Sequence, residues 1–160
     1  MNTKTSTAQA EQSRTTYADG SCHGNPGPGG WATVAYFPDG TSRERSGHIP
    51  GKTTNNIAEL MAAIEALKDT PEGGAVVVKT DSVYVVNGFN QWLQNWLIKG
   101  FRNAKKKPVA NRELWEKLND LAGTRKVTFE HVRGHQGIEG NERADALAYS
   151  AALGEVVGNE

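Results

Sequence analysis

The chain reads as an α/β domain, a five-stranded mixed β-sheet of three antiparallel strands followed by two parallel ones, flanked by helices. Three observations predict it. Short extended segments come first, around the turn signal Pro38-Asp39-Gly40. One apolar stripe with helical spacing follows, made by Ile57, Leu60, Met61, Ile64 and Leu67. From there to the C-terminus, strand-like and helix-like segments alternate, as they do where helices cover the faces of a sheet.

Taken in order, residues 1–14 hold Thr, Ser, Gln, Ala and scattered charges, with no large apolar side chain beyond Met1, and are expected to form a disordered arm. Residues 15–21 supply a first strand, 31–37 a second and 42–49 a third. The Gly/Pro segment 20–30 is expected to be a connection between strands, its backbone groups free for a ligand. It is neither a Walker-type phosphate loop, which needs Gly-Lys-Ser/Thr, nor a dinucleotide fingerprint, since no helical pattern follows it. Thr53, Thr54 and Asn55 are available to cap the striped helix, and Glu59 lies off its stripe. Residues 75–79 form a buried strand, and 82–87 and 90–97 read as helical. Residues 112–121 give a helix carrying Leu114, Trp115, Leu118 and Leu121, residues 127–132 a strand, and 141–153 an Ala-rich helix. The folded unit is therefore expected over 15–153, with 154–160 a flexible tail and no internal repeat.

Composition excludes several classes. The chain has 160 residues, 37% apolar and 22% charged, which fits one domain and not a wholly disordered polymer. Its apolar runs stop at four or five residues, against ~20 for a bilayer-spanning helix, so no membrane role is expected. The single cysteine, Cys22, cannot close an intramolecular disulfide or build a thiolate-rich zinc site, and no signal segment opens the chain. A reducing, cytoplasmic setting is expected, and a monomer, because nothing in the pattern requires a second copy.

Four acids stand where elements begin or end: Asp19 before Gly20, Glu59 in the striped helix, Asp81 directly after the 75–79 strand, and Asp145 in Asn141-Glu142-Arg143-Ala144-Asp145. Taken singly, each is accounted for as a cap or a solvated charge. Asp81 at a strand's carboxyl end, with Asp19 entering a Gly-rich segment, occupies the usual ligand position of an α/β sheet. If the four converge, their repulsion must be neutralised by cations, so convergence implies metal. An all-oxygen donor set favours Mg2+ or Mn2+ over zinc.

His135 lies among three glycines, Gly134, Gly137 and Gly140. An imidazole there can take or relay a proton near neutral pH, or it can be a plain surface-loop side chain. His131 and His135 are four apart, but Gly134 argues against the helix a paired zinc site needs. Residues 92–112 hold Lys99, Arg102, Lys105, Lys106, Lys107 and Arg112 with no acid, a third of the eighteen Lys and Arg in the chain. Trp92, Trp96 and Phe101 interleave with them. In a chain of zero formal net charge, that local concentration is the footprint of a phosphate backbone.

In their order along the chain these segments resemble the motifs of ribonuclease H, type 1, most closely the bacterial ribonuclease HI group. The resemblance runs from about Thr16 to about Ala152. It rests on Asp19-Gly20-Ser21-Cys22 with Gly24-Asn25-Pro26-Gly27, Thr53-Thr54-Asn55-Asn56 with Glu59-Leu60-Met61, Thr80-Asp81-Ser82 with Tyr84, Gly134-His135, and Asn141 to Asp145. It implies an endoribonuclease that cuts the RNA strand of an RNA/DNA hybrid duplex, leaving 3′-hydroxyl and 5′-phosphate ends with little sequence preference. Asp19, Glu59, Asp81 and Asp145 match the metal-binding carboxylates, and His135 the histidine linked to proton transfer or product release. Two Mg2+ ions ~3.5 to 4 Å apart, with Mn2+ able to substitute, would activate water and stabilise the leaving oxygen.

The same resemblance implies that the backbone near Cys22, the Asn25 side chain and Glu59 read the RNA strand's 2′-hydroxyls or minor-groove edges, and that Asn55 and Asn56 lie in the minor groove. Lys52, Thr54 and Asn111 match positions that hold a DNA-strand phosphate, and Trp96 an aromatic that packs on a deoxyribose. Lys99, Arg102, Lys105, Lys106 and Lys107 belong to the substrate-gripping protrusion. The chain departs from the pattern in two places: Leu97-Ile98 stands where two lysines usually follow the tryptophan, and Val83 where a polar residue is usual. Two other readings share these residues, a hybrid-binding module that does not cut and a DNA strand-transfer nuclease. The filled acid positions favour the enzyme, and the chain lacks the end-recognition domains of the strand-transfer group.

Overall fold

A computed structural model of the protein describes residues 13–103 and 105–154. Five strands form one sheet: β1 (Ser13–Cys22), β2 (Gly27–Tyr36), β3 (Ser42–Thr53), β4 (Ala75–Thr80) and β5 (Lys126–His131). Their order is β3-β2-β1-β4-β5, antiparallel across the first three and parallel from β1 to β4 to β5. This is the expected mixed sheet.

Helices α1 (Asn55–Lys68), α2 (Val83–Asn87), α3 (Leu93–Ile98), α4 (Arg112–Ala122) and α5 (Glu139–Ala152) accompany it, with a π-helical segment, Gly88–Trp92, joining α2 to α3. Side chains alternate along β1, so the two faces can be told apart. Tyr17 meets Gly140 of α5 on one face, and Gly20 meets the backbone of Ala58 and Glu59 of α1 on the other. The α1 face carries the larger core, where Leu60, Leu67, Val76, Val78, Trp115 and Leu118 pack together, and the α5 face a smaller one of Ala32, Val34, Ala144, Leu147 and Ala148.

Several limits differ from the sequence expectation. β1 begins at Ser13, so two residues of the expected arm belong to the sheet, and Arg14 is buried with its guanidinium on Asp69 at 3.2 Å and over the Phe37 ring. The remainder of that arm, residues 1–12, and the tail 155–160 lie outside the described residues. β1 and β2 consume most of the Gly/Pro segment, leaving only residues 23–26 as the connection; Gly30 lies flat against the backbone of α5 at Ala148 and Ala151, an approach no side chain permits.

β3 continues past Ile49 through Pro50 to Thr53, paired with Gly27 across a bulge. As an edge strand it tolerates a proline that cannot donate to a ladder. In α1 the stripe alone understates burial. Ile57 and Met61 are only half-buried, while Ala58, Ala62, Ala63 and Ala66 are buried beside Leu60, Ile64 and Leu67. The small alanines let the helix settle close to β1 on a wide face.

Candidate active site

Tyr17 of β1 lies opposite Lys79 of β4 in the parallel ladder. The same offset, carried two residues on, sets Asp19 beside Asp81, the first residue past β4. Opposed residues on parallel neighbours point to the same side of a sheet. Glu59 reaches the pair from α1, because Gly20 has no side chain to hold that helix away; the Gly20 N–H donates to Glu59 Oε1 in a very short contact. One oxygen from each of Asp19, Glu59 and Asp81 lies within 4.8 Å of the other two.

Electrostatics show what this costs. Asp19 is 3% exposed, and its Oδ2 has no hydrogen-bond partner in the fold. Burial, and then the charges of Glu59 and Asp81, push its pKa up to about 11. Burial also raises Glu59 to about 7, with Asp81 adding to the rise and hydrogen bonds from Asp19, Gly20 and Ser82 opposing it. Groups raised this far hold protons that a divalent cation would replace. An orphaned buried oxygen within an all-oxygen cluster fits a hard cation such as Mg2+ or Mn2+.

Asp145, the seventh residue of α5, is half-buried and close enough to raise the Asp19 pKa, but stands outside the tight trio. His135 is exposed, with a left-handed backbone at φ 59°, a conformation rare for a side chain other than glycine. Its loop touches the trio at Asp81: a Cβ at Gly134 would lie 2.6 Å from Asp81 Oδ2. The Gly137 N–H donates to Glu142 Oε1 at 3.2 Å, tying the far side of that loop to α5.

Two groups of the expected contact residues assemble separately. In the first, the Asn25 Oδ1 accepts from the Asn55 N–H at 3.1 Å, the Cys22 thiol donates to the Thr53 carbonyl at 2.9 Å, and the Thr54 hydroxyl caps α1 by accepting from the Ile57 N–H at 3.2 Å. Lys52, Asn55 and Asn56 are exposed beside them. In the second, Trp96, Lys99 and Arg102 line a hollow of about 260 Å³ with Trp92, Asn95 and Asn103. The Asn103 side chain accepts from the N–H groups of Lys105 and Lys107 at 2.9 and 3.1 Å, which folds the exposed lysines Lys105, Lys106 and Lys107 into a turn.

Asn111 stands at the start of α4 with φ 61°, its Nδ2 donating to the Tyr84 hydroxyl oxygen at 3.1 Å. The Trp115 Nε1–H donates to the same oxygen at 3.0 Å. A larger hollow of about 700 Å³, lined by Pro108, Asn111 and α4 residues, contains none of the four acids. An open track for a long polymer needs no enclosed cavity at the reacting group.

Sequence reasoning placed Ser82 and Tyr84 in the motif around Asp81 without a role and did not mark Asn103. Ser82 caps α2 by accepting from the Val85 N–H at 3.2 Å and also hydrogen-bonds Glu59. Its place directly after Asp81 was the available signal. Tyr84 joins partners 27 and 31 residues away, which no local pattern encodes.

A mixed five-stranded sheet that gathers one buried and two half-buried carboxylates from β1, α1 and the end of β4 carries the kind of acidic cluster at which metal-dependent nucleases act. The ribonuclease H family model matches residues 11–153. A ribonuclease H of Thermosynechococcus vestitus is 48% identical over 147 residues, covering 90% of this chain and 91% of that protein. Among solved structures, LC9-RNase H1, a type 1 enzyme with the type 2 active-site motif, superposes with a TM-score of 0.80 at 32% identity over 91% of this chain and 74% of its own. LC11-RNase H1, solved in complex with an RNA/DNA hybrid, does so at 0.66 and 29% identity, over 88% and 97%. The chain belongs to the ribonuclease H family.

Proposed function

We infer that the protein is an endoribonuclease that hydrolyses the RNA strand of RNA/DNA hybrids with Mg2+ as its working ion and Mn2+ as a substitute. The observation that carries this reading is the trio Asp19, Glu59 and Asp81, packed within 4.8 Å with a buried oxygen left unpartnered. Asp145, on the neighbouring helix, is the fourth ligand. Divalent ions bound there supply an activated water and charge stabilisation at the scissile phosphate.

The chain's own residues do the rest. Glu59 is fixed by the Gly20 N–H and Ser82, so its carboxylate faces the cluster and is available to an RNA 2′-hydroxyl. His135, on the loop beside Asp81, moves the proton to or from the departing oxygen or assists product release. Asn25, Asn55, Asn56 and the backbone at Cys22 meet the minor groove, while Lys52, Thr54 and Asn111 hold a DNA-strand phosphate. Trp96 packs on a sugar, with Lys99, Arg102 and the turn of Lys105, Lys106 and Lys107 along the backbone. Such contacts position without reading sequence. No helix among the described residues is long and apolar enough to cross a membrane. We read the enzyme as a cytoplasmic monomer, consistent with a single cysteine.

The test is cleavage of a labelled RNA/DNA hybrid beside duplex RNA, duplex DNA and single-stranded RNA, with Mg2+, Mn2+ or chelator. Metal-dependent cutting of only the hybrid's RNA strand is expected, and Asp81→Asn should reduce it at least ~100-fold while leaving the unfolding midpoint unchanged or raised. Salt-dependent binding without cutting in either metal would replace the enzyme with a binding module.

A further inference from the structure

Among the described residues, six large apolar side chains are exposed, and four of them, Val83, Trp92, Leu97 and Ile98, lie within residues 83–98. Ile98 is the extreme at 83% exposed, with Leu97 beside it at 47%. They end α3, directly before Lys99 and next to the hollow that Trp92, Trp96, Lys99 and Arg102 share. Isolated apolar residues on a surface need no explanation, but an adjacent exposed pair at a helix end, directly before a run of cations, does.

The charge around the tip selects its partner. With five cations and no acid in residues 92–111, and Arg112 paired with Glu116 at 2.6 Å, an anionic occupant fits; with Leu97 and Ile98 projecting, it must also offer apolar surface at short spacing. A nucleic-acid strand alternates the two, phosphate and sugar, along every nucleotide. Building on the reading of this surface as the hybrid grip, we propose that Leu97 and Ile98 are substrate-contact residues whose apolar tip packs on sugar faces of the bound hybrid. Part of the affinity is then independent of salt.

Lysines at these two positions would each release counterions on binding and steepen the salt dependence; apolar side chains exchange that contribution for one that salt leaves in place. The protein should therefore lose less affinity as ionic strength rises than a version with a fully cationic protrusion.

Binding of a fluorescent RNA/DNA hybrid to the full chain in chelator, titrated against salt, tests this with Ile98→Ser and Ile98→Lys. Ile98→Ser should weaken binding by about fivefold at every salt concentration, giving a parallel line on a log–log plot. Ile98→Lys should bind more tightly at low salt and steepen the slope by ~0.9. In Mg2+, KM should follow these changes with kcat constant. Because Ile98 is a surface residue, both variants should keep the wild-type unfolding midpoint, which is checked alongside.

Should Ile98→Ser superimpose on wild type at all salt concentrations while wild type cuts the hybrid, the tip makes no substrate contact and the proposal alone is overturned. Wild type that neither binds nor cuts a hybrid overturns the parent reading as well. If sedimentation shows a wild-type dimer that Ile98→Ser dissolves with hybrid binding unchanged, the tip is a self-interface and the proposal again fails.

Discussion

Asp19 and Glu59 retain protons in the fold to about pH 11 and about pH 7, well above their ordinary values of 3.8 and 4.5, with burial as the first cause in each case. The fold therefore binds protons that the unfolded chain has already lost. Linkage fixes the sign: this contribution to stability is complete below the unfolded carboxylate range and is lost as pH rises through the folded values. In chelator, the urea midpoint should fall from pH ~5 upward, through about 7 for Glu59 and on toward about 11 for Asp19, and saturating Mg2+ should flatten that fall. Asp19→Asn should remove most of the slope and raise metal-free stability at pH 8 by at least about 1 kcal/mol, while abolishing cleavage. A midpoint that stays level with pH in chelator would show that these carboxyls ionise freely. The four acids were legible as residues because each sits in a motif with a recognisable neighbour, although the structure places Glu59 fifth in α1 and Asp145 seventh in α5 and not at an element's edge. What was not legible is their inequality: Asp19 is buried and Asp145 half-buried only because of where α1 and α5 cross the sheet, and a linear sequence carries no record of that crossing.

The elements answer to close backbone approach as much as to periodicity. α1 was readable from its apolar stripe, yet its working position depends on Gly20, where a Cβ would collide with Ala58 and Glu59. Gly20→Ala should cost about 1–3 kcal/mol by overpacking, and it should reduce kcat by more than the stability loss explains, since the displaced backbone carries Glu59. Unfolding curves and turnover measured on the same preparation separate the two effects. The interrupted helix pair was read as two helices with a gap, and the structure fills the gap with the π-helical segment, placing Gly88 against the Trp115 ring. The basic turn that follows is held by the Asn103 side chain together with the Arg102 guanidinium, which donates to the Lys106 carbonyl at 3.0 Å. Asn103→Ala removes two acceptor contacts and should raise KM about fivefold with kcat and the unfolding midpoint unchanged; a change in kcat instead would mean that the turn reaches the chemistry. No pattern announced Asn103, because a side chain that caps its own turn looks in sequence like any polar loop residue.

At the scale of the molecule, zero formal net charge hides a strong asymmetry, with six of eighteen cations in 21 consecutive positions. Lys105→Ala with Lys107→Ala should weaken hybrid binding about equally for all sequences and reduce the salt slope by about 2, read from the same log–log plot. Equal slopes in the double variant and wild type would remove these lysines from the interface. The mixed sheet, three antiparallel strands then two parallel, was legible because turn signals, one helix and later alternation leave few topologies, whereas the strand order and the reach of β3 past Pro50 as an edge strand appear only after assembly.

One feature of that assembly bears on the protein's birth. β2 is made well before α5, the helix that covers it, closes on Gly30 and brings Asp145 with it. A chain emerging from the ribosome gains Asp19, Glu59 and Asp81 in turn and still lacks both the fourth carboxylate and the cover of its smaller core. A variant ending before residue 139 should therefore leave the smaller core uncovered and lack Asp145, and no cleavage is expected of it in the labelled-hybrid assay.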